Sequence, residues 1–384
     1  MQIITTTEHL AAFCARAAQA PFVTADTEFL RERTYWSKLC LIQLAYPGEG
    51  DETAAVVDPL VESLSLEPLY GLFRDEAVVK VFHAARQDLE IFVTEAGVMP
   101  APLFDTQVAA MVCGFGEQAS YETLVRRIAR AEIDKSSRFT DWSRRPLSEA
   151  QLRYALDDVT HLRKVYLYLA DRLQATGRTS WVAEEMAVLT DPATYRTDPE
   201  DAWQRLRPRT GSPKVLAALI ELARFREEYA QAKDVPRSRV FKDDALLELA
   251  STRPQSEADL GKSRLLLREA RRGEIADGIL AAIKRAAGRR PEELPRLDQR
   301  EQLQVNPALA DLLRVLLKAR TDGEGVAAKL IATSGELDAI AAGERDLPSL
   351  RGWRREVFGE DAIRLCEGRV GLAAKGQNVV TVRL

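Results

Sequence analysis

Cysteine is scarce in this chain, and long apolar runs are absent. The four cysteines, Cys14, Cys40, Cys113 and Cys366, form no CxxC pair, which argues against a zinc knuckle or a disulfide framework and predicts reduced core thiols. No run of about 18 apolar residues occurs, and the N-terminus lacks a charged region followed by a long apolar stretch. These absences argue against a membrane protein and predict a cytoplasmic location.

The chain as a whole has a small net charge, but basic residues are concentrated in one part of it. The 384 residues, 46% hydrophobic and 29% charged, have the composition of a globular protein with two or three domains. Residues 201–290 contain 20 basic and 13 acidic residues within a chain of net charge -4. This local excess indicates either a surface that binds a polyanion or an ordinary solvated helical surface.

Hydrophobic periodicity divides the chain into an α/β part and a helical part. Four strands are predicted between residues 22 and 85, in "FVTADTEFL", "LCLIQLAYP", "AAVVDPL" and "VVKVFHAA", and the first three are spaced as a meander. Helical patterns dominate from Gln87 onward and end in the long segment "SEAQLRYALDDVTHLRKVYLYLADRL". We therefore expect an α/β domain over residues 1–185 and, because proline and polar residues interrupt the pattern, a linker over residues 186–209.

The helical part resembles one unit written twice. In residues 210–290 a long amphipathic helix is followed by a proline turn and by "RVFKDDALLELAS", and residues 291–384 repeat this plan with "KLIATSGELDAIA" and then a C-terminal extension. We interpret this as a weak internal repeat of two all-α bundles, although unrelated helical bundles would share some periodicity.

Acidic side chains occur where an α/β domain places its functional sites. Asp26 and Glu28 lie one residue apart on a predicted strand and therefore on one face. Asp88 falls in the first turns of the helix after another strand, and Tyr154 and Asp158 are four residues apart on one helix face. Alone, Asp88 could be an exposed helix acid and Tyr154 a core aromatic. Together they predict a shared site, since paired carboxylates in an apolar setting require a cation or a proton between them.

Several neighbouring residues are candidates for substrate contact. Phe29 and Tyr35 follow the strand acids in "FLRERTYW", and aromatic rings of this kind can stack on bases, but an ordinary loop surface is the alternative. His83, at the end of a strand, is either a substrate contact or a hydrogen-bonded strand-end histidine. The "LGKS" at residues 260–263 lacks the earlier glycine of a phosphate-binding loop, so no nucleotide cofactor is expected.

The motifs resemble those of the ribonuclease D group of DEDD exonucleases that carry a tyrosine in the third motif. The first motif is "DTEFLRERTYWSKLCLIQLA", the second "VFHAARQDLEIF" followed by "FDTQVAA", and the third "DKSSRFTDWSRRPLSEAQLRYALDDV". The helical repeats are similar to the helicase-and-ribonuclease-D C-terminal (HRDC) module. The resemblance implies a ribonuclease H-like exonuclease domain with a mixed sheet, followed by two HRDC-like bundles. It also implies that Asp26, Glu28, Asp88 and Asp158 are metal ligands and that Tyr154 orients water.

The expected chemistry is two-metal hydrolysis of a phosphodiester. Carboxylates suit Mg²⁺ or Mn²⁺, and the lack of paired histidines or cysteines argues against zinc. Two such ions can serve both the attacking and the leaving oxygens. By the resemblance, the enzyme removes nucleoside 5′-monophosphates from single-stranded RNA 3′ ends, with tRNA precursors as expected substrates and a monomer as the expected state. The alternatives are a DNA-directed 3′–5′ exonuclease of the same fold and a non-catalytic RNA-binding scaffold.

Overall fold

A mixed sheet forms the centre of the N-terminal part of the chain. The structure is a computed structural model, which describes residues 2–48, 51–206, 212–294 and 304–384. The strands of this sheet are β1 (Gln2–Ile4), β2 (Phe22–Leu30), β3 (Lys38–Ala45), β4 (Ala54–Val57), β5 (Val79–Phe82) and β6 (Leu103–Asp105). Their spatial order is β1-β4-β3-β2-β5-β6, with β3 antiparallel to β2 and β4 and the other pairs parallel.

The four strands predicted from periodicity are confirmed, and three of them form the predicted meander. The two short strands β1 and β6 were not predicted, because three residues are too few to show an alternating pattern. Strand β3 is buried along nearly its whole length, as its central place in the sheet requires.

Helices cover the sheet and supply part of the site. They are α1 (Thr7–Ala17), α2 (Glu67–Arg74), α3 (Arg86–Ala96), α4 (Thr106–Val112), α5 (Tyr121–Leu124), α6 (Glu149–Thr176) and α7 (Thr179–Leu189). A π-helical turn, Val125–Ala129, continues α5. The predicted long helix is confirmed as α6, which begins at a capping box made by Ser148 and Gln151 and ends at Gly177 with φ of 70°. Helix α6 packs against β2, β3 and β4.

The first helical bundle consists of α8 (Pro213–Ala232), α9 (Arg237–Val240), α10 (Asp243–Thr252), α11 (Glu257–Leu260) and α12 (Gly273–Gly288). It has its own apolar core, to which Tyr35 of the N-terminal part contributes. The segment between the sheet and this bundle forms 3₁₀ helices at Pro192–Tyr195 and Pro199–Leu206. Tyr195 is buried in the first core and Ala202 in the second, so this part of the expected linker is packed onto both.

The second bundle begins with the same order of long, short and intermediate helices as the first. Its helices are α13 (Pro307–Glu324), α14 (Ala328–Ile331), α15 (Ser334–Ala341), α16 (Gly352–Arg354) and α17 (Glu360–Cys366), with a π-helical turn at Arg355–Gly359. The expectation of an all-α bundle is wrong for its last part. Strands β7 (Val370–Lys375) and β8 (Asn378–Arg383) form an antiparallel hairpin, because "VGLAAK" and "NVVTVR" flank a glycine-containing turn with Gly376 at φ of 63°.

Specific contacts hold the second bundle against the N-terminal part. The rings of Trp181 and Trp353 stack with centroids 4.6 Å apart. Arg354 pairs with Glu185 at 2.5 Å between Nη2 and Oε1.

The expected borders between domains at 209 and 210 lie outside the described residues, and helix α7 crosses the expected border at 185. Within the described ranges, no helix combines the length and the apolar character needed to cross a membrane.

Candidate active site

Strand β2 presents two carboxylates toward one face near its C-terminal end. Asp26 and Glu28 are partly exposed, whereas Thr27 between them is buried, as the alternation of side chains along a strand requires. The pairing of β2 with β3 shifts directly after Glu28. An irregularity of this kind redirects the side chains that follow it, so Phe29 no longer continues the alternation set by the two acids.

Asp88 reaches the same region from the first turn of α3. Its side chain is only 6% exposed, and the hydroxyl of Thr27 donates a hydrogen bond to its Oδ1 atom. A negative charge in the first turn of a helix is favoured by the exposed N–H groups there. The helix therefore positions this carboxylate beside the end of β2.

A second buried carboxylate fixes the turn that leads into α3. Asp105, at the end of β6, accepts hydrogen bonds from the backbone N–H groups of Ala84 at 3.1 Å, Ala85 at 2.8 Å and Gln107 at 2.7 Å. Ala84 has φ of 59°, a left-handed conformation that is unfavourable for a residue with a Cβ atom. Asp105 therefore stabilises a strained turn two residues before α3, and its charge contributes to the raised pKa of Asp88.

Helix α6 contributes Tyr154 and Asp158. The two residues are one turn apart on the same face, and their side chains interact, since Tyr154 lowers the pKa of Asp158 and Asp158 raises that of Tyr154. The ring of Trp142 lies 6.0 Å from the ring of Tyr154. Asp157 points elsewhere, since its carboxylate lies 3.9 Å from His161 Nε2. The two adjacent aspartates of α6 therefore point in different directions.

The pKa values of the four acids indicate that the carboxylates lie close together. Burial raises the pKa of Glu28 to about 10, reinforced by the charges of Asp26, Asp158 and Asp88. Burial also raises the pKa of Asp158 to about 7. The pKa values of Asp26 and Asp88 are both well above the usual range, first through burial and then through a neighbouring aspartate. Such a cluster favours either protons or a bound cation.

The donor set fits hard divalent cations. Four carboxylates from three separate elements supply oxygen ligands of the kind that Mg²⁺ and Mn²⁺ prefer. Within the described ranges, no three acidic, histidine or cysteine side chains already stand at ligand distances from one point. Mutual repulsion keeps uncompensated carboxylates apart, and rotation about their side-chain bonds would bring them onto an ion. Asp26, Glu28, Asp88 and Asp158 are therefore the residues that would hold a metal.

The acids open into a cavity of about 350 Å³ that is lined by both acidic and basic groups. Asp26, Tyr154 and Asp158 form part of the wall, and Lys135 and Arg138 form another part. The charge of Arg138 lowers the pKa of both Glu28 and Asp158 against the effect of burial. A cavity that combines carboxylates with an arginine suits a phosphodiester whose charge is shared between bound cations and the guanidinium.

The three predicted substrate contacts lie in different places. His83 lines the cavity, where its Nδ1 atom lies 3.0 Å from the Thr106 hydroxyl, and burial lowers its pKa. Phe29 does not line this cavity and packs in part against the core of the N-terminal part.

Tyr35, the third of these candidates, does not line the cavity. This residue is 9% exposed and lies in the contact with the first helical bundle. Its hydroxyl donates to Glu227 and accepts from Arg237 at 2.8 Å, and Arg237 also lies 4.6 Å from its ring centroid. A side chain held in this way is unavailable to a base. Tyr35 and its neighbours therefore connect the two parts of the chain.

Sequence reasoning missed two aromatic residues near the acids. Tyr121 lines the cavity and donates to the carbonyl of Asp157 at 2.8 Å. Phe139 is 91% exposed, and the Arg138 guanidinium lies 5.2 Å from its ring centroid. The signal for Phe139 was an aromatic residue within the basic segment "KSSRFTDWSRR", whereas nothing in the sequence around Tyr121 indicated its position.

Comparisons with known proteins agree with this fold. Residues 1–174 match a family model described as a 3′-5′ exonuclease, and residues 215–283 match the HRDC domain. The match to the exonuclease family covers every element that carries the acids. Together with the site, it defines the N-terminal part as the catalytic domain of a 3′-5′ exonuclease.

Relatives that match over nearly the whole chain identify the family within this class of exonucleases. The chain is 63% identical to a ribonuclease D of Jannaschia sp. (strain CCS1), over 99% of each chain. It is 49% identical to a ribonuclease D of Granulibacter bethesdensis, over 98% of this chain and 95% of the relative. The crystal structure of Escherichia coli RNase D matches with a TM-score of 0.83 at 29% identity, covering 95% of this chain and 98% of that one. The chain belongs to the ribonuclease D family.

Proposed function

We propose that this protein is a 3′–5′ exoribonuclease that releases nucleoside 5′-monophosphates from RNA by hydrolysis with two divalent cations. The observation that carries the proposal is a cavity lined by Asp26, Tyr154, Asp158 and Arg138. The carboxylates of Glu28 and Asp88 lie close enough to these acids for the charges of Asp26, Asp158 and Asp88 to raise the pKa of Glu28. Asp26, Glu28, Asp88 and Asp158 would hold the cations. When bound, the cations would offset the negative charge of the phosphodiester during attack and departure.

Tyr154 acts as an orienting group rather than as a base. Burial and the charges of Asp158 and Glu28 raise the pKa of its phenol, so the hydroxyl keeps its proton at neutral pH. A protonated hydroxyl can accept a hydrogen bond from the attacking water while it donates to Asp158. Trp142, packed near the ring, limits the orientations that this side chain can adopt.

Basic and aromatic groups of the cavity hold the RNA end. Arg138 and Lys135 face the scissile phosphate, and the exposed ring of Phe139 stacks on a base. His83 is neutral because burial lowers its pKa, so its ring contacts the terminal nucleotide by hydrogen bonding. Phe29 remains a weaker candidate for packing against that nucleotide.

The helical bundles serve longer or structured substrates, with tRNA precursors among them. The Escherichia coli relative is described as an exoribonuclease involved in structured RNA processing, and an HRDC domain follows the catalytic domain in this chain as well. We also propose that the second bundle is a diverged HRDC module. The shared order of long, short and intermediate helices in α8–α10 and α13–α15 supports this.

End-labelled single-stranded RNA and DNA of the same sequence, digested side by side, test the proposed function. With Mg²⁺, we expect RNA labelled at its 5′ end to shorten one nucleotide at a time and to release 5′-monophosphates. EDTA should stop the reaction. Faster digestion of DNA than of RNA would favour a DNA-directed enzyme of the same fold, and binding without cleavage in Mg²⁺ and in Mn²⁺ would indicate a non-catalytic scaffold.

A further inference from the structure

A second cavity, outside the acidic site, is surrounded by arginines. It has a volume of about 280 Å³, and Arg127, Arg130 and Arg172 contribute to its wall together with Phe115 and Tyr168. All three arginines are exposed. No acidic residue lines the cavity.

The charge of these arginines is not balanced by any carboxylate of the described residues. In the part of the chain that the structure describes, no carboxylate pairs with any of the three, whereas nearby Arg178 pairs with Glu324 at 2.6 Å.

Two of these arginines contact aromatic side chains instead of carboxylates. The Arg127 guanidinium lies 4.8 Å from the Phe115 ring centroid, and Arg172 Nη1 lies 3.4 Å from the Tyr168 hydroxyl. Such contacts orient a guanidinium without neutralising it. Three guanidinium groups around one cavity, two of them oriented by aromatic side chains and none paired with a carboxylate of the described residues, form a site for an anion with several oxygens, such as a phosphate.

Two helical segments connect this cavity to the acidic one. Tyr121 lines the acidic cavity and Arg127 the basic one, six residues apart along α5 and its π-helical turn, which corresponds to about 9 Å. On α6, Asp158 lines the first cavity and Tyr168 the second, ten residues and about 15 Å apart. These values are the separations along the helix axes, and an extended strand of a few nucleotides is longer than either.

We propose that Arg127, Arg130 and Arg172 bind a backbone phosphate of the same RNA strand whose 3′ end lies in the acidic cavity. The inference rests on the proposed exoribonuclease function. A phosphate held there fixes the register of the strand without reading its bases. Substrates that extend past the acidic cavity gain this contact, and a dinucleotide does not.

The test compares Arg172→Ala and Arg130→Ala with a matched control, Arg126→Ala. Arg126 is exposed and lies on the same helical segment, but it does not line the cavity. Fluorescence anisotropy in EDTA, at several salt concentrations, measures binding of a single-stranded RNA of roughly ten nucleotides, a length within the site sizes of single-strand binders. Turnover of an RNA dinucleotide in Mg²⁺ is measured beside it.

We expect each cavity variant to bind the longer RNA about three- to tenfold more weakly, with the log–log salt slope reduced by about 0.7 per lost phosphate contact. Dinucleotide turnover should stay at the wild-type level. The control should match the wild type in both measurements, and Arg172→Lys should recover part of the affinity.

Three results would overturn the proposal. Salt slopes equal to that of the wild type would show that the arginines do not contact the strand. An equal loss of dinucleotide turnover would show that they act through the acidic site. Thermal protection by 5′-AMP that disappears in Arg172→Ala, with RNA binding unchanged, would assign the cavity to free phosphate monoesters. If the wild type binds RNA but cleaves none in Mg²⁺ or Mn²⁺, the proposed function fails, and the binding data still decide the role of the cavity.

Discussion

Replacing Asp26 by asparagine should change stability and activity in opposite directions. The pKa of Asp26 is raised by burial and by the charge of Asp158, so ionisation of this group costs more in the folded protein than in the unfolded chain. The cost is absent below the unfolded pKa of about 4 and grows as the pH rises toward the folded pKa. The wild type without metal therefore loses stability as the pH rises from about 4 toward 8. The Asp26→Asn variant should lose less stability over the same pH range.

The size of the effect is that of a substitution at a buried charged site. Such substitutions change the free energy of unfolding by on the order of 1 to 3 kcal/mol, and here the change is stabilising because like charges are relieved. For a domain of this size, that raises Tm by about 3 to 9 °C. A bound cation should make the wild type more stable than the variant, because a ligand present at a hundredfold excess over its Kd stabilises the folded protein by about 2.7 kcal/mol. The Asp26→Asn variant has lost a charged ligand, so the cation should stabilise it less than the wild type.

Thermal unfolding at pH 8 and at pH 4.5, each with EDTA and with Mg²⁺, measures both effects without any substrate. We expect Asp26→Asn to be more stable than the wild type in EDTA at pH 8, nearly equal at pH 4.5, and less stable in saturating Mg²⁺ at pH 8. RNA turnover should fall by at least about a hundredfold. Asp157→Asn removes a nearby charge outside the cavity and should leave the Mg²⁺-dependent stabilisation intact. If Asp26→Asn kept the wild-type response to Mg²⁺, the assignment of this residue as a metal ligand would be wrong.

Three further substitutions separate the roles of other residues. Tyr154→Phe keeps the ring but removes the hydroxyl, so RNA binding should persist while kcat falls about a hundredfold; weaker binding at unchanged kcat would make Tyr154 a substrate contact instead. Asp105→Asn weakens the hydrogen bonds to the turn before α3, so it should lower stability in EDTA by about 1.5 to 3 kcal/mol, opposite in sign to Asp26→Asn. A stabilising effect would place Asp105 among the repelling acids. Tyr35→Phe removes the hydroxyl bonded to buried Glu227 and should cost about 1 to 2 kcal/mol with no change in turnover of a short RNA. Slower turnover at unchanged Tm would return Tyr35 to the substrate contacts.

The sequence was sufficient where local spacing determines geometry. Asp26 and Glu28 share a strand face and Tyr154 and Asp158 share a helix face because the periods of strands and helices are fixed. The repeat of helical elements was also visible, because each element of the bundles carries its own amphipathic pattern.

Contacts between segments distant in the chain could not be predicted in the same way. Nothing local to Tyr35 shows that Glu227 and Arg237 lie against it, so its contact with the first helical bundle could not be predicted from the sequence. Counting charges also overestimated the free basic surface of residues 201–290, since Arg285 and Arg289 both pair with the buried Glu221. The expectations of a monomer, a cytoplasmic location and two metal ions stay predictions.

The adjacent aspartates of α6 give the most direct test of the central claim. Asp158 faces the acidic cavity and Asp157 faces His161, so Asp158→Asn and Asp157→Asn make the same chemical change one residue apart. The measurement is the release of 5′-monophosphates from single-stranded RNA as Mg²⁺ is titrated. We predict that Asp157→Asn follows the wild-type curve, while Asp158→Asn loses at least about a hundredfold in rate at every Mg²⁺ concentration. Equal rates for the two variants would contradict the proposal that this carboxylate cluster is the metal-binding active site.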